Sequence, residues 1–87
     1  MYYVYLLYSE KDYKFYTGFT EDLRRRYDDH KYGKVRSTKN RRPLQLAHYE
    51  AYQTKEDAMS RERYLKTSDG KRDLKKQLKN FIAQTRN

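Results

Sequence analysis

Tyr2–His30 reads YYVYLLYSEKDYKFYTGFTEDLRRRYDDH, and the fold can be argued outward from it. Tyr2 to Tyr8 is aromatic, aliphatic or β-branched throughout, a composition that predicts a strand. Tyr3, Tyr5 and Leu7 share one face of it, and Val4, Leu6 and Tyr8 the other. Neither face is charged, so this strand is expected to be central in a sheet. Ser9 to Lys14 is a polar turn, and Phe15 to Phe19 a second strand, which together predict an antiparallel hairpin. Thr20 is the expected N-cap of a helix, with Glu21 and Asp22 in its first turn, running to about Lys31. Leu23 and Tyr27 lie one turn apart and can face a core. Asp22, Arg26 and His30 follow one another on a neighbouring stripe, and Gly33 suits the stop position. Phenols, guanidiniums and an imidazole are thus gathered in one small unit, a set suited to a phosphate.

Beyond this unit lies a basic loop, KVRSTKNRRP, from Lys34 to Pro43. Lys34, Arg36, Lys39, Arg41 and Arg42 are expected to track nucleic-acid phosphates, giving affinity and salt dependence without sequence preference. Ser37, Thr38 and Asn40 add neutral donors. Leu44 to Tyr52 predicts a third strand, with Leu44, Leu46 and His48 alternating on one face and His48 read as structural. Thr54 caps a helix to about Lys66, with Asp57 completing a shortened capping box. Ala58, Glu62 and Leu65 share a face of that helix. Ser68 and Asp69 start a last helix whose Leu74, Leu78, Phe81 and Ile82 form an apolar stripe. The expected order is ββαβαα, an α+β fold with a small three-stranded antiparallel sheet flanked by helices. One domain spans residues 1–87, with a core over about 2–66 and a C-terminal helix over about 69–83.

Composition narrows the function. A chain of 87 residues is near the lower end of what buries an adequate core alone, and 11 Tyr supply much of its apolar area. It holds no Cys and two His, which excludes disulfides, Cys-ligated zinc and a His-rich metal site. A formal charge of +9, with aromatics interleaved among the cations, points to nucleic acid. No apolar run is long enough to span a bilayer, and Met1 opens into a strand with no signal-peptide pattern, so the cytoplasm is the expected compartment.

Several side chains can do chemistry. Arg26 offers bidentate donors to phosphate oxygens and keeps its charge. Arg24 and Arg25 point elsewhere on the helix and read as solvated surface. Glu62 lies on the apolar stripe of a charged helix, a costly place for a carboxylate unless it holds a cation or pairs with Arg26 or another base. A phenol near its ordinary pKa of about 10 is a poor base until a cation favours the phenolate. His30 can act as proton shuttle or phosphate donor, or simply face the helix dipole.

Tyr3-Val4-Tyr5, then Tyr16-Thr17-Gly18, then Arg26, then Glu62 on the helix after the third strand resemble the GIY-YIG nuclease domain over roughly Tyr2 to Lys66. The likeness is nearest to small stand-alone bacterial members, in which a His follows the Arg by one turn, a basic loop ends in Arg-Pro, and an Arg-Glu pair precedes a final Lys. Here these are His30, Arg42-Pro43 and Arg61-Glu62 with Lys66. Tyr3 stands where the family has Gly, and Thr17 where it has Ile. Larger members carry an Asn after the Glu, and that role is not assigned to Asn80. The resemblance implies Tyr5, Tyr16, Arg26, His30 and Glu62 as catalytic residues, with Glu62 holding Mg2+ or Mn2+. The expected activity is metal-dependent endonucleolytic hydrolysis, most readily of branched or damaged DNA, as in DNA repair, with low sequence specificity. The alternative is a catalytically weak or inactive module binding DNA or structured RNA. A monomer or weak homodimer is expected, with a separate protein as a source of targeting.

Overall fold

The structure, a computed structural model, describes residues 1–85. Strand β1 (Tyr2–Ser9) pairs antiparallel with β2 (Phe15–Thr20) on one side and β3 (Leu44–Tyr52) on the other, giving the sheet order β2-β1-β3. The uncharged strand is therefore the central one, as its two apolar faces require. Helix α1 spans Leu23–Lys31, α2 Lys55–Leu65, α3 Ser68–Gln77 and α4 Lys79–Thr85. Fold class and element order are those read from the sequence, with two differences in the helices.

The N-cap of α1 is Asp22, whose carboxylate accepts from Arg25 N at 3.1 Å. Thr20, the expected cap, instead closes a local turn: its hydroxyl accepts from Asp22 N and donates to Asp22 O. The expected acidic first turn is consequently absent. The C-terminal stripe is also divided. Leu78 departs from helical geometry and separates α3 from α4. Leu74 and Leu78 pack on the core beside Val4, Leu6, Ala58 and Leu65, while Phe81 meets the rings of Tyr8 and Phe15. The stripe docks on its own sheet rather than projecting.

Each face of β1 has its own helix. Val4 and Leu6 pack with α2 and α3; Tyr5 and Leu7 pack with Leu23 and Tyr27 of α1 and with Leu44 and Leu46 of β3. The third strand does not alternate cleanly. Leu6 opposes His48 but Leu7 opposes Leu46, so the register slips at Ala47. A one-residue slip exchanges the faces of everything beyond it. His48, expected on the face of Leu44 and Leu46, therefore lies on the α2 face with Glu50 and Tyr52, while Tyr49 joins the α1 face.

That reversal builds a polar cluster the sequence reading did not find. Glu50 accepts from Arg61 Nε at 2.9 Å and Nη2 at 3.2 Å, from Tyr52 Oη at 2.6 Å, and lies 3.0 Å from His48 Nε2. It ties α2 to β3. Burial would raise its pKa, but these hydrogen bonds, Arg61 first, hold it at about 2. A depressed carboxylate stabilises the fold above its unfolded pKa, and the gain is lost as pH falls through the folded value. Glu50→Gln is thus expected to cost about 1–3 kcal/mol at pH 7. In urea titrations the gap between wild type and variant should close as pH falls from about 4.5 toward about 2.

Candidate active site

Tyr5 is the centre of the α1 face, and its ring is 1% exposed. It lies across Gly18, its partner on β2: a Cβ at Gly18 would fall 2.3 Å from Tyr5 Cζ and Oη. Only a glycine leaves room for the ring here. Tyr16 opposes Leu7 and so sits on the same face, diagonal to Tyr5, with its ring centroid 5.2 Å from that of His30. The two motif phenols therefore flank the imidazole rather than facing each other directly.

His30, at the end of α1, is fully buried. Its Nε2 lies 2.9 Å from Tyr5 Oη, and its Nδ1 lies 2.7 Å from Thr38 Oγ1. Burial first, and the nearby Arg26 charge second, lower its pKa to about 4, so the ring is neutral at physiological pH. The ring is thus held between Tyr5 and Thr38 rather than exposed at the helix end.

Arg26 is half-exposed and lies one turn before His30 on the side of α1 that meets Tyr5. Its guanidinium is 4.0 Å from Asp29, a loose pair that leaves its donors available. Contact with the Tyr5 phenol raises the Arg26 pKa above its already high value. The Tyr5 phenol is itself raised: burial pushes it up, Arg26 pulls it down, and the charges of Tyr16 and Glu62 push it up again. Arg24 and Arg25 are exposed on other faces of the helix.

Glu62 belongs to α2, which packs on the face of β1 opposite Tyr5. Helix α2 also packs against the edge strand β2, which is short of side chains at Gly18. Glu62 is not paired with Arg26, as one reading allowed. Its carboxylate lies 3.4 Å from exposed Lys66, one turn on, and Arg61 turns away to Glu50. Among the described residues no group of three or more His, Cys, Asp or Glu converges. A single part-exposed carboxylate suits Mg2+, which keeps several waters, and does not suit zinc.

The basic loop is more built than its composition suggests. Val35 is 9% exposed and Thr38 is 0% exposed, and Lys39–Arg41 forms a short 3-10 turn. Ser9 Oγ donates to Arg41 O at 2.6 Å, and Glu10 N donates to Pro43 O at 2.9 Å, fastening the loop to the β1–β2 turn. Arg41 Nε donates to Asp12 at 2.6 Å, and that bond holds the Asp12 pKa at about 2. Arg41 is therefore committed to Asp12, whereas Lys34, Arg36, Lys39 and Arg42 are exposed. Thr38, read from sequence as a neutral donor to nucleic acid, is instead buried against His30. One signal was present: Val35 is the lone aliphatic residue of the loop, and an apolar side chain there implies that the loop folds inward.

Comparison with known proteins gives the family. A family model described as the GIY-YIG catalytic domain matches residues 1–78. A UPF0213 protein of Limosilactobacillus reuteri is 41% identical over 68 residues, covering 75% of this chain and 70% of its own. The UPF0213 protein YazA of Bacillus subtilis is 41% identical over 78 residues, covering 88% and 74% respectively. The solution NMR structure of a UPF0213 protein from Bacillus halodurans superimposes with a TM-score of 0.53 at 38% identity, over 85% of this chain and 82% of that one. With the family match spanning the sheet, α1 and α2, the chain belongs to the GIY-YIG nuclease family.

Proposed function

We propose that this protein is a divalent-metal-dependent endonuclease that hydrolyses phosphodiester bonds, in DNA by preference, with low intrinsic sequence specificity. The observation that carries the reading is the cluster on the α1 face, where Tyr5 Oη lies 2.9 Å from His30 Nε2 and the ring of Tyr16 lies 5.2 Å from that of His30. A surface that only bound nucleic acid would need the cations but not a buried phenol–imidazole pair.

Each group has a task. Arg26 clamps the non-bridging oxygens of the scissile phosphate and offsets charge as it builds. One of Tyr5 and Tyr16 accepts the proton of the attacking water and the other orients the water or the phosphate, with His30 Nε2 2.9 Å from the Tyr5 oxygen. Glu62 holds Mg2+ or Mn2+ with few protein ligands. When bound, that cation acidifies water, stabilises the leaving oxygen, and replaces an influence that raises the Tyr5 pKa with one that lowers it. Lys34, Arg36, Lys39 and Arg42 carry the flanking phosphates. The protein acts as a monomer or weak homodimer and depends on another protein for targeting.

Plasmid, single-stranded and branched DNA incubated with Mg2+, Mn2+ or chelator test this reading. Metal-dependent nicking that disappears in Glu62→Ala supports it. Equal binding by wild type and variant, with no cleavage in any metal, would favour the binding module instead.

The loop assignment has its own check. Replacing Lys39 and Arg42 by Ala is expected to weaken binding uniformly across sequences and to flatten the log Kd against log salt slope by about 2. Replacing Arg41, which is tied to Asp12, should leave that slope nearly unchanged. Anisotropy titrations between about 50 and 200 mM salt read both.

A further inference from the structure

We infer that the outward face of α3, formed by Lys71, Arg72, Lys75 and Lys76, is a second phosphate-contacting surface, which holds one duplex arm of a branched DNA while the basic loop holds another. The inference deepens the nuclease reading and rests on it for DNA as the polyanion.

The charge of the chain is concentrated in two places. Residues 34–43 carry five cations and no acid, and residues 67–87 carry six cations and two acids. The rest of the chain holds ten of each, so the whole net charge of +9 resides in these two segments. The first is the basic loop. The second is mostly α3, whose Gly70 and Leu74 account for its packing and leave its cations without a task.

Helix α3 is firmly seated. Thr67 caps it by accepting from Gly70 N at 3.1 Å, and Leu74 packs into the core. Gly70 lies so close to the end of α2 that a Cβ there would collide with Tyr64 O. Lys71, Arg72, Lys75 and Lys76 are all exposed.

A helix face that is merely solvated mixes its signs. On α1, Arg24 and Arg25 each have an acid four residues on, at Asp28 and Asp29. On α3 the same spacing joins Lys71 to Lys75 and Arg72 to Lys76, like charges that weaken a helix. The two acids of α3 do little to relieve them. Asp73 accepts from the Tyr64 hydroxyl, and Asp69 pairs with Arg72 at 3.1 Å on an open surface, where such a pair counts for little. Among the described residues Lys71, Lys75 and Lys76 make no ion pair. Exposed, mutually repelling cations on a firmly seated helix fit a polyanion that supplies the missing negative charge.

The position of the face decides the form of that polyanion. The basic loop packs through Thr38 against His30, on the Tyr5 side of β1, whereas α3 packs through Leu74 on the Val4 and Leu6 side. The two basic surfaces thus lie on opposite sides of the sheet. A straight duplex laid on one side does not reach the other, but two arms leaving a branch point do. Helix α2, which carries Glu62, leads directly into α3, so the second arm is held next to the helix of the proposed metal ligand.

Anisotropy titrations in chelator, on a four-way junction and on a linear duplex of the same arm sequence, test the face without any cleavage. The α3 variant combines Lys71→Gln, Arg72→Gln, Lys75→Gln and Lys76→Gln. Gln keeps helix propensity and removes the repulsion, so the urea midpoint should not fall. Junction affinity should drop about 10- to 100-fold, and the log Kd against log salt slope should flatten by about 3. Affinity for the linear duplex should stay within a few-fold, because the loop remains. A charge-matched control combining Arg24→Gln, Arg25→Gln, Lys31→Gln and Lys55→Gln should change neither by more than a few-fold. Wild-type junction binding by the α3 variant, equal losses on junction and duplex, or equal losses in variant and control would each overturn the inference. Unchanged junction affinity with lost binding to phosphatidylserine vesicles would assign the face to an anionic membrane instead. The nuclease reading fails separately, through a wild-type protein that binds the junction by α3 and cleaves it in no metal.

Discussion

Arg26→Ala is expected to lower the single-turnover cleavage rate about 10²–10³-fold, the loss seen when one preorganised donor to a developing negative charge is removed. Affinity for DNA should change only a few-fold, because Lys34, Arg36, Lys39 and Arg42 remain. The split follows from position: Arg26 lies one turn before His30 on α1, whereas the loop cations are exposed outside the phenol–imidazole centre. Tyr5→Phe should fall as far or further, about 10²–10⁴-fold, since it removes the hydroxyl at the centre of the phenol–imidazole pair. Arg24→Ala, one residue from Tyr5's neighbours in sequence but exposed, is the control and should leave the rate unchanged. Single-turnover kinetics and anisotropy on the same substrate check all three.

Gly18→Ala should damage both fold and activity. The added methyl would lie 2.3 Å from Tyr5 Cζ and Oη, inside any allowed contact, and the ring has little freedom because Oη is held near His30 Nε2. Overpacking of this kind costs about 1–3 kcal/mol. Relief by ring movement breaks the Tyr5–His30 contact, so cleavage is lost along with stability. Combining Gly18→Ala with Tyr5→Ala should restore much of the stability lost on adding the methyl, without restoring cleavage. Urea midpoints and rates for the two single variants and the double form a cycle that reads this coupling. Additive losses of stability would contradict the stacking of Tyr5 on Gly18.

How far the sequence could be read follows from what kind of information each feature needs. β1 was legible because both its faces are apolar, and only a central strand is covered on both sides. Helix α2 was legible from its Thr54 cap, which accepts from Asp57 N as expected. The α1 start was not, because Thr20 and Asp22 are both good caps and the choice depends on where β2 ends. The faces of β3 were misread beyond Ala47, since a bulge leaves no mark in a strand that alternates on either side of it. The Glu50 cluster was lost with them. Within the site, Tyr5, Tyr16, Arg26 and Glu62 were reached through the family resemblance. Thr38 was not, because a buried hydroxyl inside a run of cations looks like any solvated loop residue until the loop is seen folded against His30. Arg41 shows the converse: its charge reads as an open phosphate contact, but Asp12, far away in sequence, already occupies it.

Parallel measurement of binding and cleavage on one branched DNA substrate, for wild type and Glu62→Gln, tests the central claim most directly. Gln keeps the shape of the side chain and removes the charge that, on the proposed reading, holds the divalent ion. Wild type should cleave in Mg2+ or Mn2+ and stop in chelator. Glu62→Gln should bind the same DNA within a few-fold of wild type and leave it uncut. Cleavage by Glu62→Gln at the wild-type rate, or tight binding by wild type with no cleavage in either metal, would contradict the account.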